Sequence, residues 1–387
     1  MFNSVILLVM SAVPTADASS AKPKLAEYDK ARELVKLLGD NKYRIRAAAE
    51  KQLVSLGMAS LAALKEGENS SDVHVADRCR SLQPTIRSLT LQKRIENFLT
   101  NTKDPEITKS LPLAESFLKI TGDSKEAREL YSHAYQASPE LFESVLNNPA
   151  KAQVEFTSFC QDANTKMMRQ QGIDFRIAQR MITLTDVITY FIVTHELAER
   201  KISVNNGHGY VFMNSVNLPE NLGRSDATGA AVKKLFLAYI DKEKQVYMIQ
   251  RALQIAAEAK MNETLPLVLK LVKDKDTPNY TRAQVALMLL KLGSKDNLKD
   301  VAPLLEDKTV VGNFGINNVQ GQVQIRDVAL AVSIKLSGQK MSDYPFDVMK
   351  GNDDIIHLSY IYCAFTGEKS RNAAFEKFKD SQKPKSK

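Results

Sequence analysis

Apolar residues near the start of the chain recur with the spacing of a helix face. Between 25 and 38 the apolar positions fall three or four residues apart, and most of the intervening positions are charged. The recurring residues are Ala31, Leu34, Val35 and Leu38. A second segment of this kind, 43–56, follows the polar turn Gly39-Asp40-Asn41, and Gly57 stands where a glycine commonly ends a helix. The pattern predicts a helix pair that needs neighbouring units to bury its apolar face.

The same order of features occurs three times along the chain. Segments 34–57, 267–293 and 301–338 each contain an apolar helix, a polar turn, an arginine, a run of small residues and a closing glycine. The turn aspartates and the arginines that follow them are Asp40 with Arg46, Asp276 with Arg282, and Asp307 with Arg326. The first two pairs are six residues apart, whereas the third is nineteen residues apart because its turn contains an insertion.

These segments resemble HEAT-type α-solenoid repeats, in which a turn aspartate and an arginine of the second helix form a ladder between stacked units. The resemblance covers 25–90 and 264–340. It implies a structural role for the six paired residues, and the chemistry agrees, because a turn carboxylate accepts hydrogen bonds from helix N-terminal amides and pairs with arginine. An exported chain of this kind also resembles bacterial proteins that occur in expanded paralogue sets of unassigned function, which implies an extracytoplasmic location but no activity.

The rest of the chain predicts further helices without a clear repeat, including one uninterrupted helix between Phe175 and Arg200. The composition agrees, since 16 Gly, 13 Pro and no Trp in 387 residues favour long helices. We predict an all-α fold with HEAT-like helical hairpins at both ends, a less regular helical middle and two long loops. The predicted segments are HEAT-like hairpins over 19–100, irregular helices over 101–200, a long loop over 201–226, helices with HEAT-like repeats over 227–375, an inserted loop over 309–324, and a lysine-rich tail over 376–387.

The N-terminus predicts export. An apolar run over 5–13 precedes Ala16-Asp17-Ala18, which fits the cleavage pattern of a secretory signal peptide, although residues 1–4 contain no basic side chain. We expect a signal peptide over 1–18, cleavage after Ala18, and a secreted or periplasmic protein. No later segment has the length and apolarity of a membrane span. The three cysteines are too far apart to suggest a disulfide framework.

The charge of the chain is mildly basic. Lys and Arg number 53 against 45 Asp and Glu, a formal net charge of +8, and the excess is spread thinly outside the lysine-rich tail. Nucleic-acid-binding proteins usually concentrate their basic residues on one face or stripe, so nucleic acid is a disfavoured partner. The unstructured tail leaves one alternative open, the binding of a polyanion or of the cell envelope.

The two long loops interrupt the helical pattern and contain the candidate binding residues. Loop 201–226 has Asn-Gly and His-Gly turn pairs before a β-prone segment, and loop 309–324 has three glycines between β-prone residues, consistent with a small hairpin. Loops of this length carry function, cap the local structure or are disordered, and these alternatives stay open. The candidate binding residues are Asn206, His208, Tyr210, Phe212, Phe314 and Asn317.

Catalytic and metal-binding motifs were sought without success, so we predict neither a cofactor nor a metal. His195 and Glu199 share a helix face, but the second histidine of a zinc-protease motif is missing. The sequence favours a non-enzymatic protein-binding or scaffold protein that is exported from the cytoplasm. An enzyme using Asn206, His208 and Tyr210 is the less favoured alternative. The protein partner and the oligomeric state stay open.

Overall fold

The computed structural model describes residues 21–169, 175–203, 209–316, 319–348, 355 and 359–383. These residues are mostly helical, which confirms the predicted all-α class, and a two-stranded antiparallel hairpin interrupts the helices. The chain divides into two compact units, Met1–Thr108 and Lys109–Lys387. The predicted signal peptide and the candidate residues Asn206, His208 and Asn317 lie outside the described residues. None of the described helices is long and apolar enough to cross a membrane.

The first unit contains the helix pairs predicted at the N-terminus. Its helices are α1 (Ala21–Leu37), α2 (Tyr43–Leu56), α3 (Leu61–Gly67) and α4 (Val73–Thr100), and the short helix α5 (Pro105–Lys109) lies at the boundary between the units. Gly57 has a positive φ of 60° directly after α2, a conformation that side chains other than glycine disfavour. The core is formed by buried aliphatic residues of all four helices, among them Leu34, Leu53, Leu64 and Ile86.

The second unit begins with an irregular helical region around a core rich in aromatic rings. Its helices are α6 (Ala114–Thr121), α7 (Lys125–Ala137), α8 (Pro139–Asn147), α9 (Pro149–Met168), α10 (Phe175–Arg180), α11 (Leu184–Glu199), α12 (Tyr210–Met213), α13 (Asn217–Leu222), α14 (Ala227–Lys242) and α15 (Val246–Glu258). Helix α11 packs against α7 and α14, and the ring of Tyr190 lies 4.4 Å from that of Phe212 between ring centroids. The less regular middle of the chain therefore has a continuous core.

Two expectations for this region are wrong. The helix predicted between Phe175 and Arg200 is two helices, because Thr183 and Asp186 form a capping box that starts α11. The β-prone segment at Tyr210 is helical, since it forms the single turn of α12, and α13 follows within the predicted loop. Burial of Phe212 and Leu222 in the core favours these short helices over an extended loop.

The C-terminal part of the second unit combines helix pairs with the hairpin. Its elements are α16 (Leu265–Lys273), α17 (Asn279–Leu287), α18 (Leu289–Leu292), α19 (Leu298–Val301), β1 (Val310–Ile316), β2 (Val319–Gln324), α20 (Ile325–Leu336) and α21 (Glu368–Ser381). Helix α17 packs against both α16 and α20, and α21 also packs against α20. Consecutive apolar residues of α20 are buried, so this helix is central to the local core.

The lysine-rich segment begins within a helix rather than as an unstructured tail. Helix α21 extends to Ser381, and Ala374 and Phe378 bury one side of it. The prediction of a tail starting at residue 376 is therefore wrong for residues 376–381, because an apolar face holds them in the fold. Residues 384–387 lie outside the described residues.

Candidate functional site

The inserted loop over 309–324 forms a β-hairpin. Strands β1 and β2 pair antiparallel, with Phe314 opposite Gly321 and Asn313 opposite Gln322, and the register shifts near Val310. Asn317 and its neighbour, which join the strands, lie outside the described residues. The hairpin places four polar or aromatic side chains beside the start of α21.

Gly321 is required because two groups lie directly above it. A Cβ atom at this position would lie 2.2 Å from Cε1 of Phe314 and 2.7 Å from the carbonyl oxygen of Phe365. The Phe314 ring therefore lies across the glycine on the neighbouring strand, an arrangement known to protect glycines in sheets. Phe365 is buried in turn and stacks on Phe346 at 5.0 Å between ring centroids. These rings form the apolar floor of the site.

A buried ion pair fastens the hairpin to the two helices beside it. The Arg371 Nε and Nη2 atoms donate to the two carboxylate oxygens of Asp327 at 2.9 and 3.1 Å, and Nη2 also donates to the carbonyl of Gln322 at 3.0 Å. Asp327 accepts a third bond from the Gln324 amide at 2.8 Å. Arg371 also pairs with Glu368 on its own helix. The pair therefore links β2, α20 and α21 through fully bonded charges, as buried charges require.

A second carboxylate organises the start of α21. Oδ2 of Asp347 accepts bonds from the Thr366 amide at 2.7 Å, the Thr366 hydroxyl at 3.0 Å and the Ser370 hydroxyl at 2.8 Å. The residue before the helix, Gly367, has no side chain with which to cap it. Asp347 thus supplies the acceptor from a distant part of the chain and fixes where α21 begins.

An open cleft of about 650 Å³ lies between the hairpin and the start of α21, and we call it the hairpin cleft. Amide side chains and a hydroxyl provide hydrogen-bond donors and acceptors around its apolar floor, and the exposed carboxylate of Glu368 adds one negative charge. The lining residues are Asn313, Phe314, Gln320, Gly321, Gln322, Phe365, Thr366, Gly367, Glu368 and Arg371. Polar groups around an aromatic floor suit the recognition of a polar chain.

The outer edge of β2 faces this cleft. The Gln322 amide donates to the Phe365 carbonyl at 3.3 Å, so this strand already forms one bridge on the side away from β1. Gln320 lies two residues earlier, and strand alternation directs its backbone amide and carbonyl to the same side. No backbone bond from Gln320 to a third strand is present in the part of the chain that the structure describes. The backbone amide and carbonyl of Gln320 therefore have no strand partner beside the cleft among the described residues.

The described candidate binding residues have different surroundings. Phe314 lines the hairpin cleft, where its ring is 8% exposed. Tyr210 is half-buried and donates from its hydroxyl to Oδ1 of Asn164 at 2.9 Å. Phe212 is fully buried against Phe159 and Tyr190, so it belongs to the core and does not face a partner. Of the described candidates, Phe314 alone lines the hairpin cleft.

The first aspartate–arginine pair of the predicted ladder does not meet through its side chains. Nη1 of Arg46 donates to the backbone carbonyls of Asp40 and Asn41, at 2.8 and 3.1 Å. The Asp40 carboxylate instead accepts from the Lys42 amide at 2.7 Å. Arg46 therefore closes its own turn.

The arginine of the second predicted pair, Arg282, bonds the turn aspartate of the third pair, Asp307. Arg282 is buried and donates to the Val272 carbonyl at 3.3 Å and to the Asp307 carboxylate at 3.2 Å. The backbone amide of Asp276 donates to the carboxylate of Asp274. Asp274, and not the predicted Asp276, therefore has the role expected for a turn aspartate. The Asp276 amide and the Thr277 hydroxyl lower the pKa of Asp274.

The third arginine has other partners than the predicted one. Arg326 donates to the side chain of Gln324 at 2.6 Å and to Glu368 at 3.2 Å. Its contact with Asp307 is between backbone atoms, from the Arg326 amide to the Asp307 carbonyl at 2.9 Å. The segment between Asp307 and Arg326 folds as the hairpin, and Arg326 lies beside the first residue of α21, Glu368.

Sequence reasoning missed the buried pairs that hold the second unit together. Asp327 follows Arg326 within a helix whose other positions are largely apolar, which signals a buried carboxylate that needs a cation. Its partner Arg371 is 44 residues away, and no local pattern indicates it. A second case is Arg128, 1% exposed, which bonds Asp123 through Nε at 2.5 Å and lowers the pKa of that carboxyl.

The cysteines are free and buried. Burial raises the pKa of the Cys79 thiol to about 11 and that of Cys160 to about 12, and it raises the pKa of Cys363 as well. All three side chains are therefore protonated near neutral pH, a state in which a thiol is a poor nucleophile.

No protein-family model matches the chain, and no curated protein has a significant similarity to it.

Proposed function

We propose that the chain is a non-enzymatic binding protein whose hairpin cleft takes an extended segment of a partner protein. The observation that carries this proposal is the open position of β2 at Gln320, beside a cleft with an aromatic floor and amide walls. Partner chains commonly add to an exposed sheet edge through main-chain hydrogen bonds, and adjoining pockets select their side chains. The bridge between Gln322 and Phe365 supports this proposal, because the same edge already accepts an extended strand from its own chain.

The balanced charges of the lining favour recognition of a neutral segment. Asp327 pairs with Arg371, and the Glu368 carboxylate, although 60% exposed, pairs with both Arg371 and Arg326. A lysine or arginine of the partner would compete with these two arginines for Glu368, and an exposed ion pair contributes only about 0.2–1 kcal/mol. Main-chain bonding therefore supplies the affinity.

A displayed library of random peptides tests the proposal. Peptides selected on the purified protein are labelled, and their affinity is measured by fluorescence polarisation for the native chain and for Gln320→Pro. We expect Gln320→Pro to weaken binding about fivefold, because proline removes the outward amide donor and one hydrogen bond contributes about 1 kcal/mol.

Gln320→Ala is the matched control, since it removes the same side chain but keeps the backbone donor. It should retain most of the affinity, and both variants should melt near the native temperature because proline is tolerated at an outward edge position. Failure to select any peptide, or selected peptides that bind Gln320→Pro as tightly as the native chain, would refute the proposal.

The proposal also includes export and a HEAT-like solenoid arrangement within each unit. The packing of α1 with α2 and of α16 with α17 supports the repeat interpretation, as does the Arg282–Asp307 contact between successive helix pairs. The apolar run and the Ala-x-Ala pattern support export. Mass spectrometry of the N-terminus of the protein made by its own cells tests this part, with Ser19 as the expected first residue.

A further inference from the structure

A second cavity, of about 490 Å³, lies between the carboxyl ends of α11 and α14. It is separate from the hairpin cleft in its lining residues, and we call it the α11–α14 pocket. Its apolar wall is formed by Leu197, Ala198, Ile202 and the ring of Tyr239, and its polar lining comprises Thr194, His195, Lys201, Ser203, Lys242, Glu243, Lys244 and Gln245. Leu197 and Tyr239 are buried, so the wall belongs to the core and is well ordered by packing.

The charged groups around this pocket are predominantly basic. Three lysines line it against one carboxylate, that of Glu243. Lys242 is paired with Glu199 at 2.9 Å and lies 3.4 Å from Asp241. Lys201 and Lys244 are exposed, and neither has a carboxylate partner among the described residues. Two ammonium groups thus remain available to a ligand.

The one carboxylate in the lining is already used by the fold. Oε1 of Glu243 accepts from the backbone amides of Lys244 and Gln245 at 2.8 and 2.9 Å, and Oε2 accepts from the Tyr239 hydroxyl at 2.7 Å. Three donors hold this side chain against the turn before α15. Glu243 is therefore fixed in place and is not free to turn toward the two lysines.

The lining also contains a largely buried imidazole with one unsatisfied nitrogen. The side chain of His195 is 12% exposed, and its Nδ1 atom has no hydrogen-bond partner among the described residues. The nearest carboxylate oxygen, Oε1 of Glu196, is 3.7 Å away, beyond hydrogen-bond distance. Unsatisfied buried polar atoms are uncommon in native proteins and call for an explanation such as a bound water, ion or ligand.

We propose that the α11–α14 pocket binds a small organic anion, with an apolar body against the partly exposed Ala198 and Ile202 and a carboxylate or phosphate between Lys201 and Lys244. The volume suits a compact ligand rather than a macromolecule. The two lysines compensate the anion, and the apolar wall adds affinity through burial. This site is independent of the hairpin cleft, so each proposal stands or fails without the other.

A purely structural role of Lys201 and Lys244 at the helix ends has to be distinguished from anion binding. Both helices end at this pocket, and basic side chains near helix carboxyl ends interact with the unpaired carbonyls. If that were their only role, removing them would lower the melting temperature and leave ligand affinity unchanged. If they bind an anion, affinity falls and the ligand no longer raises the melting temperature.

Isothermal titration calorimetry at low salt tests the proposal on the full chain. The probes are octanoate and octyl phosphate, with octan-1-ol as the uncharged analogue and inorganic phosphate as the headgroup alone. We expect octanoate and octyl phosphate to bind. Octan-1-ol, which lacks the charge, and inorganic phosphate, which lacks the apolar body, should bind at least tenfold more weakly. The stronger of the two octyl anions identifies the headgroup.

The variants Lys201→Ala and Lys244→Ala should each weaken anion binding about tenfold, the loss expected for one charge-assisted hydrogen bond. Lys260→Ala is the matched control, because Lys260 has the same left-handed backbone as Lys201, with φ of 54° against 57°, and does not line the pocket. No binding of either anion, equal binding of octan-1-ol, or equal losses in Lys201→Ala and Lys260→Ala would each overturn the proposal.

Discussion

The buried Asp327–Arg371 pair predicts a large loss of stability when its cation is removed. Asp327 is 0% exposed and Arg371 3%, and the two side chains share two direct hydrogen bonds. Arg371→Met keeps an apolar side chain of similar length but leaves the carboxylate buried without a cation. We expect the free energy of unfolding to fall by about 3–5 kcal/mol, the range observed when one partner of a buried pair is removed.

Removing both charges should recover part of this loss. In the double variant Asp327→Leu with Arg371→Met no uncompensated charge remains, and apolar replacements of buried pairs are often neutral. The Gln324 amide, which donates to Asp327 at 2.8 Å, then loses its acceptor. Because an unsatisfied buried donor costs about 1–3 kcal/mol, the double variant should lie between the native chain and Arg371→Met in stability.

The loss in Arg371→Met should also depend on pH. Burial raises the pKa of Asp327 above its usual value. A carboxyl group whose pKa is higher in the folded chain than in the unfolded chain stabilises the fold at low pH and loses that contribution as the pH rises through the folded pKa. Without Arg371 the proton is the remaining means of neutralising this carboxylate, so the loss should shrink as the pH falls below neutral.

Guanidinium chloride unfolding followed by circular dichroism measures these differences. Lys383→Met is the control, since Lys383 and Asp380 form a pair in which both side chains are about two-thirds exposed, and its removal should leave the free energy of unfolding unchanged within error. A loss below about 1 kcal/mol in Arg371→Met, with no dependence on pH, would refute the reasoning that this pair holds the hairpin to α20 and α21.

Three further predictions test other parts of the second unit. Gly321→Ala should destabilise the chain by about 1–3 kcal/mol in chemical unfolding, because its Cβ would overlap the Phe314 ring, and the same substitution should cost less when it is made in a Phe314→Ala background. Asp226 caps α14, and Arg224 and the Gly229 amide lower its pKa to about 2. The contribution of Asp226 to stability is therefore present above about pH 4 and is lost as the pH falls toward about 2. Asp226→Asn should abolish this part of the acid-unfolding profile, and an unchanged profile would contradict the prediction. Lys260→Gly should raise the free energy of unfolding by about 0.5–1 kcal/mol because φ at this position is 54°, whereas Lys260→Ala should give no gain.

The two proposed sites both have an apolar surface, but they differ in whether the charged groups beside it are paired. At the hairpin cleft an aromatic floor and an open strand edge stand beside a fully compensated ion pair. At the α11–α14 pocket the apolar wall stands beside two lysines without carboxylate partners in the described residues. The first arrangement favours main-chain bonding, and the second favours an anion. The calorimetric and polarisation experiments therefore report on different side chains.

Helices were predictable where a local pattern was strong and uninterrupted. The apolar spacing of residues 25–38 and the polar turn after them predicted α1 and α2, and the small residues after Arg282 predicted α17. The break before α11 was also present in the sequence, as Thr183 followed by Asp186, but the continuous apolar pattern around it concealed the capping box. The prediction for the segment at Tyr210 was wrong for a different reason. Burial of Phe212 in the core overrode the local β propensity of the segment.

By itself the sequence determined the all-α class and the helices with a strong apolar period, because these depend on periodicity within short segments. The tertiary structure alone decided that Arg371 pairs with Asp327, that Arg282 reaches Asp307 while Arg46 closes its own turn, and that two cavities form. Buried charges pair with whichever groups the packing brings within bonding distance, and for residues far apart in the chain that distance is set by the fold.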